Sequence, residues 1–320
     1  MTDEFRGFPA LAGVALRTTL STKMDHPHYR YSALPRRPAS PLQPGLHLYL
    51  VLYLEHWDFE APAGSLRDPR FVGEFGSFNP DYRSWSQREY GLRIGVFRLL
   101  DALQEVGLKA TVAANALVLP RITEVLQRLA GAPWLGHGLA ATRMMHSDMS
   151  GAEQAQHIES SLQALQQYTG QRPLGWLSQD WGSSPQTYGL LADAGLSYTL
   201  DWGNDDQPYW LEPAGTSARR LLALPLSSEW DDVQGQWLRH VDAPEHAALI
   251  LSGAQRLARE CQTHGRSAVM GLGLHPWVWG MPSRIAHLRR LLADLLRIDG
   301  LRPACCDDLY AAYARSAPIP

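Results

Sequence analysis

Apolar and polar positions alternate in blocks along the 320 residues. The first strong block is "LHLYLVLYLE" (46–55), an aliphatic and aromatic run of strand type. Residues 63–90, with their Gly, Pro, Asp and Ser, read as a long loop of the kind that passes over a site. "RIGVFRLLDALQEVG" then puts Ile94, Phe97, Leu100 and Leu103 on one face, with Gly107 as the stop, and predicts a helix. "KATVAANA" predicts a strand, "PRITEVLQRLAG" a helix and "PWLGHG" a short strand. "SGAEQAQHIESSLQALQQYTG" predicts a helix entered at a serine cap and closed by glycine. "LGWLS" is the next strand, "SSPQTYGLLADAG" a helix with Pro185 near its first turn, and "SYTLDW" a strand. After "RRLLALPL" come the helix "APEHAALILSGAQRLARECQTHG", the strand "AVMGLGLHP", the helix "SRIAHLRRLLADLLR" and a closing "LRPACCDDLYAAY".

Strands and helices that alternate over short connections call for parallel strands and right-handed crossovers. A doubly wound nucleotide-binding sheet would carry GxGxxG after an early strand, and none exists; the GxG of "MGLGLHP" lies inside a late strand. The expectation is an α/β fold, barrel-like rather than doubly wound, spanning 46–320. Residues 1–45, rich in Pro, Arg and His, read as an extended N-terminal arm.

Composition narrows the picture. Hydrophobic residues are 45% and charged residues 19%, enough for a large core, and the net charge of -3 suggests neither a nucleic-acid nor a polybasic membrane partner. No apolar run approaches a membrane span, and the N-terminus shows no secretory signal. Cys261, Cys305 and Cys306 form no CxxC pair, so a reducing, cytoplasmic compartment is expected.

The ends of the strands carry the chemistry. In a barrel the carboxyl ends converge. They present Glu55, His56 and Asp58, then Asn115, His137, Ser178 and Asp180, then Asp201, Asp205 and Asp206, and finally His275. Such a set, from segments otherwise poor in charge, points to a polyfunctional polar site. Asp201, Asp205 or Asp206 could orient His275. Of Arg83, Arg88 and Arg93, any could fork onto a carboxylate or amide, and Trp57, Trp176, Trp181, Trp202, Trp277 and Trp279 could stack on a sugar or planar ring.

The order of segments resembles the polysaccharide deacetylase superfamily (carbohydrate esterase family 4), in particular its branch of metal-independent allantoinase and similar amide hydrolases. "HYRYSALPRRP" is similar to that branch's arm and "LYLEH" to its first motif. "REYGLRIGVFRLLDAL", "LKATVAANA", "GQRPLGWLSQ", "LSYTLDWGNDDQPYWL" and "LGLHPWVWGMPSRIAHLRRLL" follow in the family's order, from about His26 to about Leu296. The resemblance implies a distorted barrel and a homo-oligomer. It makes Glu55 the general base and His275 the acid or oxyanion stabiliser; of the aspartates that could orient His275, Asp201 is the one placed with them as catalytic. Arg93, Asn115, Trp176, Asp205 and Trp277 become candidates for substrate contact. The family's metal motif is matched by His137, with His56 in the place of a ligand aspartate, but Ala141 stands where a second motif histidine belongs and His146 lies nine positions past His137. No cofactor is specified; zinc or a similar divalent ion on His56 and His137 is the alternative to a metal-free site. The expected function is hydrolysis of carbon–nitrogen bonds other than peptide bonds, on a small-molecule or oligosaccharide amide. The alternatives are a catalytically altered carbohydrate- or ligand-binding relative and, against the missing signal, an extracellular deacetylase.

Overall fold

A computed structural model describes residues 24–60, 80, 82–137 and 149–316. Strand β1 (Gly45–Leu54) is followed by helix α1 (Tyr82–Tyr90), a π turn over Gly91–Gly95 and α2 (Val96–Glu105). Then come β2 (Thr111–Ala114), α3 (Thr123–Arg128), β3 (Trp134–His137), α4 (Gly151–Thr169), β4 (Gly175–Leu177), α5 (Thr187–Asp193) and β5 (Tyr198–Thr199). The chain closes with β6 (Tyr209–Trp210), β7 (Leu222–Ala223), α6 (Ala243–His264), β8 (Ser267–Leu274), α7 (Ile285–Leu295), β9 (Leu301–Ala304) and α8 (Cys306–Ser316).

The strands form one sheet in the order β6-β7-β5-β4-β3-β2-β1-β8, and β9 lies beside the first half of β1. Every pairing is parallel except β6 with β7. The sheet curls into a half-barrel whose two ends are tied across the gap. Asp231 bridges to Gly273 of β8, and the Val269 N–H donates to the Asp206 carbonyl at 2.8 Å. The Tyr49 hydroxyl crosses the interior to donate to the Pro225 carbonyl at 2.5 Å. The barrel-like fold expected from the alternation, and the distorted (β/α) barrel that the resemblance implies, is the fold that forms.

Strand parity divides the core. Successive side chains of a strand face opposite ways. On β1, Leu46, Leu48, Leu50, Leu52 and Leu54 enter the outer core under the helices, while Tyr49, Val51 and Tyr53 enter the barrel interior. The same division puts Leu135 and Leu177 inside, and Trp176 outside with Ile158 and Leu191. Odd numbers on these strands therefore mean inside.

Two expectations change. Residues 82–90, read as loop, are helical; α1 has no buried residue, so no apolar periodicity announces it. The remainder of that stretch, 61–79 and 81, lies outside the described residues, as do 1–23. In the following helix Leu100 and Leu103 are buried as expected, but Ile94 is 44% exposed and Val96 and Leu99 join the buried face in its place. The π turn inserts an extra residue per turn and rotates the apolar face. It also brings backbone close to backbone: a Cβ at Gly95 would sit 2.1 Å from the Pro276 carbonyl oxygen. Elsewhere the signals act as read. Ser150 and Glu153 form a capping box on α4, which Gly170 closes at φ 74°. The described part of the arm packs on the body, Tyr29 edge-on to Trp202 and Tyr209. Among the described residues no helix is long and apolar enough to cross a membrane.

Candidate active site

Parity decides what gathers at the rim. Glu55 continues the odd series of β1, His137 ends β3 in register with Leu177, and His275 follows β8 as its next odd position. All three line one cavity with Tyr53, Ser178, Asp180, Trp181, Asp231 and Gln234. His56, on the other parity, turns away: its Nδ1 lies 3.4 Å from Glu89 of α1.

His275 is gripped by Asp232. Its ring Nδ1 donates to Asp232 Oδ1 at 2.6 Å, and its backbone N–H donates to Oδ2 at 2.7 Å. This leaves Nε2 for a substrate. Tyr53 stacks on the imidazole at 3.9 Å between centroids, 10° from parallel. Burial opposes charge on this ring, but the Asp232 carboxylate, aided by Asp231, outweighs it and pushes the pKa up to about 9. Glu55 is the mirror image. Burial alone would raise its pKa, but the hydrogen bond from His137 (2.7 Å) and the charges of His137, His275 and Arg88 bring it down to about 2. At neutral pH the cavity therefore holds an ionised carboxylate and an imidazolium.

Several expected residues stand elsewhere. Asp201 does not orient His275; it is buried and accepts from the Ser178 N–H (2.7 Å) and from the hydroxyls of Ser178 (2.9 Å) and Ser183 (2.7 Å), and so shapes the loop after β4. Asp205 accepts from Arg37 of the arm and from the Gln207 N–H. Its neighbour Asp206 meets β8 at Val269, towards the amino end of the strand and away from the cavity. Asn115 clamps the backbone of His56, accepting from its N–H and donating to its carbonyl. Arg93 is exposed on the π turn. Trp176 faces the outer core, its indole N–H on the Ser178 hydroxyl. Of that substrate-contact set only Trp277 stays beside the site, its ring 6.1 Å from that of His275.

The proposed metal pair is not formed. Beyond the turning away of His56, both ring nitrogens of His137 are engaged, Nδ1 with the Leu177 carbonyl (2.8 Å) and Nε2 with Glu55. His146, the further candidate, lies outside the described residues, as does Ala141. Among the described residues the one chelate-like group is Asp231, Asp232 and His275. There Nδ1 is already hydrogen-bonded to Asp232 Oδ1 at 2.6 Å. These side chains do not fit a three-ligand site with an open position.

One group was missed. The pair Asp231–Asp232 lies in "SEWDDVQGQW", two adjacent acids among tryptophans after an apolar strand; that local contrast was the available signal. Of the three candidate arginines Arg88, rather than Arg93, reaches the site: its guanidinium lies 3.8 Å over the Trp57 ring and 5.4 Å from that of Trp277.

A curled parallel sheet with a carboxylate and two histidines at one rim defines the class, a (β/α) barrel with an ionised site at the carboxyl ends of its strands. No family model matches the sequence. A protein of Schizosaccharomyces pombe named "Putative polysaccharide deacetylase" is 22% identical over 244 residues, 72% of this chain and 76% of that one. Among solved structures, a "probable Polysaccharide deacetylase" from Pseudomonas aeruginosa superposes with a TM-score of 0.75 at 25% identity, over 88% of this chain and 96% of that one. Puue allantoinase gives 0.75 at 23% identity, over 89% and 96%. A "putative polysaccharide deacetylase" from Mycobacterium smegmatis gives 0.70 at 22%, over 89% and 99%. The chain shares the (β/α) barrel fold of these polysaccharide deacetylase and allantoinase structures.

Proposed function

We propose that this protein is an enzyme that hydrolyses carbon–nitrogen bonds other than peptide bonds, in an amide or N-acetyl substrate. The observation that carries the reading is the opposed pair lining one cavity, the Glu55 carboxylate held by His137 and the His275 imidazole held by Asp232. The likeness to a deacetylase at 25% identity supports it. In this mechanism water sits between Glu55 and the substrate carbonyl carbon. Glu55 takes a proton as the water oxygen bonds to carbon, and the His275 Nε2–H faces the oxygen that becomes negative. Collapse breaks the C–N bond, and Nε2 gives its proton to the leaving nitrogen. Asp232 holds the ring in the orientation for both tasks.

The low pKa of Glu55 makes it a weak base, so the reaction depends on the cation opposite to lower the energy of the oxyanion. The reading includes a reducing, cytoplasmic setting, consistent with three free cysteines among the described residues, and a homo-oligomer, which light scattering checks. The test is a screen of purified protein against N-acetyl sugars and cyclic ureides, with and without zinc. Glu55→Gln and His275→Ala are expected to lower turnover by about 10²–10⁴-fold without unfolding the protein. Full turnover in both variants would sink the proposal. Ligand binding with no turnover under any condition would favour the non-catalytic relative.

A further inference from the structure

Two buried polar atoms in residues lining the cavity have no hydrogen-bond partner among the described residues: Asp231 Oδ2 and Trp181 Nε1. Asp231 is 2% exposed. Its Oδ1 accepts the Gln234 N–H at 3.0 Å. Its Oδ2 lies 4.0 Å from His275 Nδ1, whose proton is already directed to Asp232. The sheet is built around this oxygen, since a Cβ at Gly273 would stand 2.3 Å from it. Trp181 is fixed just as firmly, held at φ 56° in the left-handed region. A buried carboxylate oxygen left unpaired is costly, and a bound molecule that donates to it recovers that cost.

We propose that Asp231 is a specificity-determining residue whose Oδ2 accepts an N–H of the bound amide beside the scissile carbonyl, while the Trp181 indole N–H donates to an acceptor on the same molecule. This rests on the reading of the site as one for amides. It narrows the substrate class to primary and secondary amides, which keep an N–H, and disfavours esters and fully substituted amides, which do not. Burial raises the Asp231 carboxyl to about 6, so at pH 8 it is ionised and can only accept.

The test needs no turnover. Acetamide and N,N-dimethylacetamide are titrated into the full-length protein at pH 8, with binding followed by ligand-observed NMR. The wild type is expected to bind acetamide at least about tenfold more tightly, because a site built for an N–H rejects the analogue lacking it. Asp231→Leu is expected to bring the two within about twofold. Asp231→Asn, which keeps a carbonyl acceptor in nearly the same shape, should retain part of the preference. Equal affinities in the wild type, an undiminished preference in Asp231→Leu, or binding of neither amide overturns the proposal; the wild-type comparison stands even if a variant does not fold. Failure of the hydrolase reading shows separately, as amide discrimination without turnover of any amide in the screen.

Discussion

His137 faces an acceptor at each ring nitrogen, the Leu177 carbonyl and the Glu55 carboxylate. Against the opposing effect of burial, the contact with His137, aided by the charges of His275 and Arg88, brings the pKa of Glu55 from 4.5 down to about 2. A depressed carboxyl stabilises the fold above its unfolded pKa and loses that contribution as pH falls through the folded one. His137→Ala should therefore cost the protein stability at pH 5 and above, with the difference from wild type shrinking between about pH 4.5 and 2; chemical denaturation across that range checks it. His275 has the opposite sign. Its pKa rises from 6.5 to about 9, so its contribution is complete below 6.5 and fades as pH climbs to 9. On the proposed mechanism kcat/KM falls once pH passes about 9, as the imidazolium is lost, and Asp232→Asn moves that limb to lower pH. A limb that stays in place in the variant would refute the part assigned to Asp232. The sequence alone exposed Glu55 and His275 through their place at the ends of apolar strands. It did not expose Asp232, since the oriented partner comes from a different segment, 43 residues before His275.

The elements around the site explain several of the reassigned residues. Trp176 ends an apolar strand as visibly as Leu177, but parity sends it to the outer core, where Gly136 leaves room for its ring. Alternation along β1 sets His56 opposite to Glu55, whereas the facing of Trp176 is fixed by its own strand and could not be counted from Glu55. The helix Tyr82–Tyr90 was not legible, because it buries none of its residues. It still supplies Arg88 and Glu89 to the first strand's end. The π turn after it seats the backbone of Gly95 against Pro276, next to His275. Gly95→Ala is expected to cost about 1–3 kcal/mol by overpacking and to reduce turnover as the 275–277 segment shifts. Urea unfolding read beside kcat gives both; an unchanged protein would show that the contact yields freely.

At the scale of the molecule, the half-barrel depends on the ties between its two ends. Tyr49→Phe removes the hydroxyl that reaches Pro225 and leaves a buried carbonyl unpaired, an expected loss of about 1–2 kcal/mol in a denaturant titration. Stability equal to the wild type would mean that water or another donor replaces it. The alternation of apolar blocks determined the strands, most helices and the barrel class, because burial of period-two and period-3.6 faces is a local property of the chain. It also marked Glu55, His137 and His275, since a charged or imidazole side chain is conspicuous at the end of a buried strand. Only the tertiary structure decided which acids serve which histidine. Asp201, Asp205 and Asp232 are alike as letters, and closure of the sheet sends the first to two serines, the second to Arg37 of the arm and the third to His275. Hydrogen bonding between segments far apart in sequence depends on where the fold places them, and no local pattern encodes that distance.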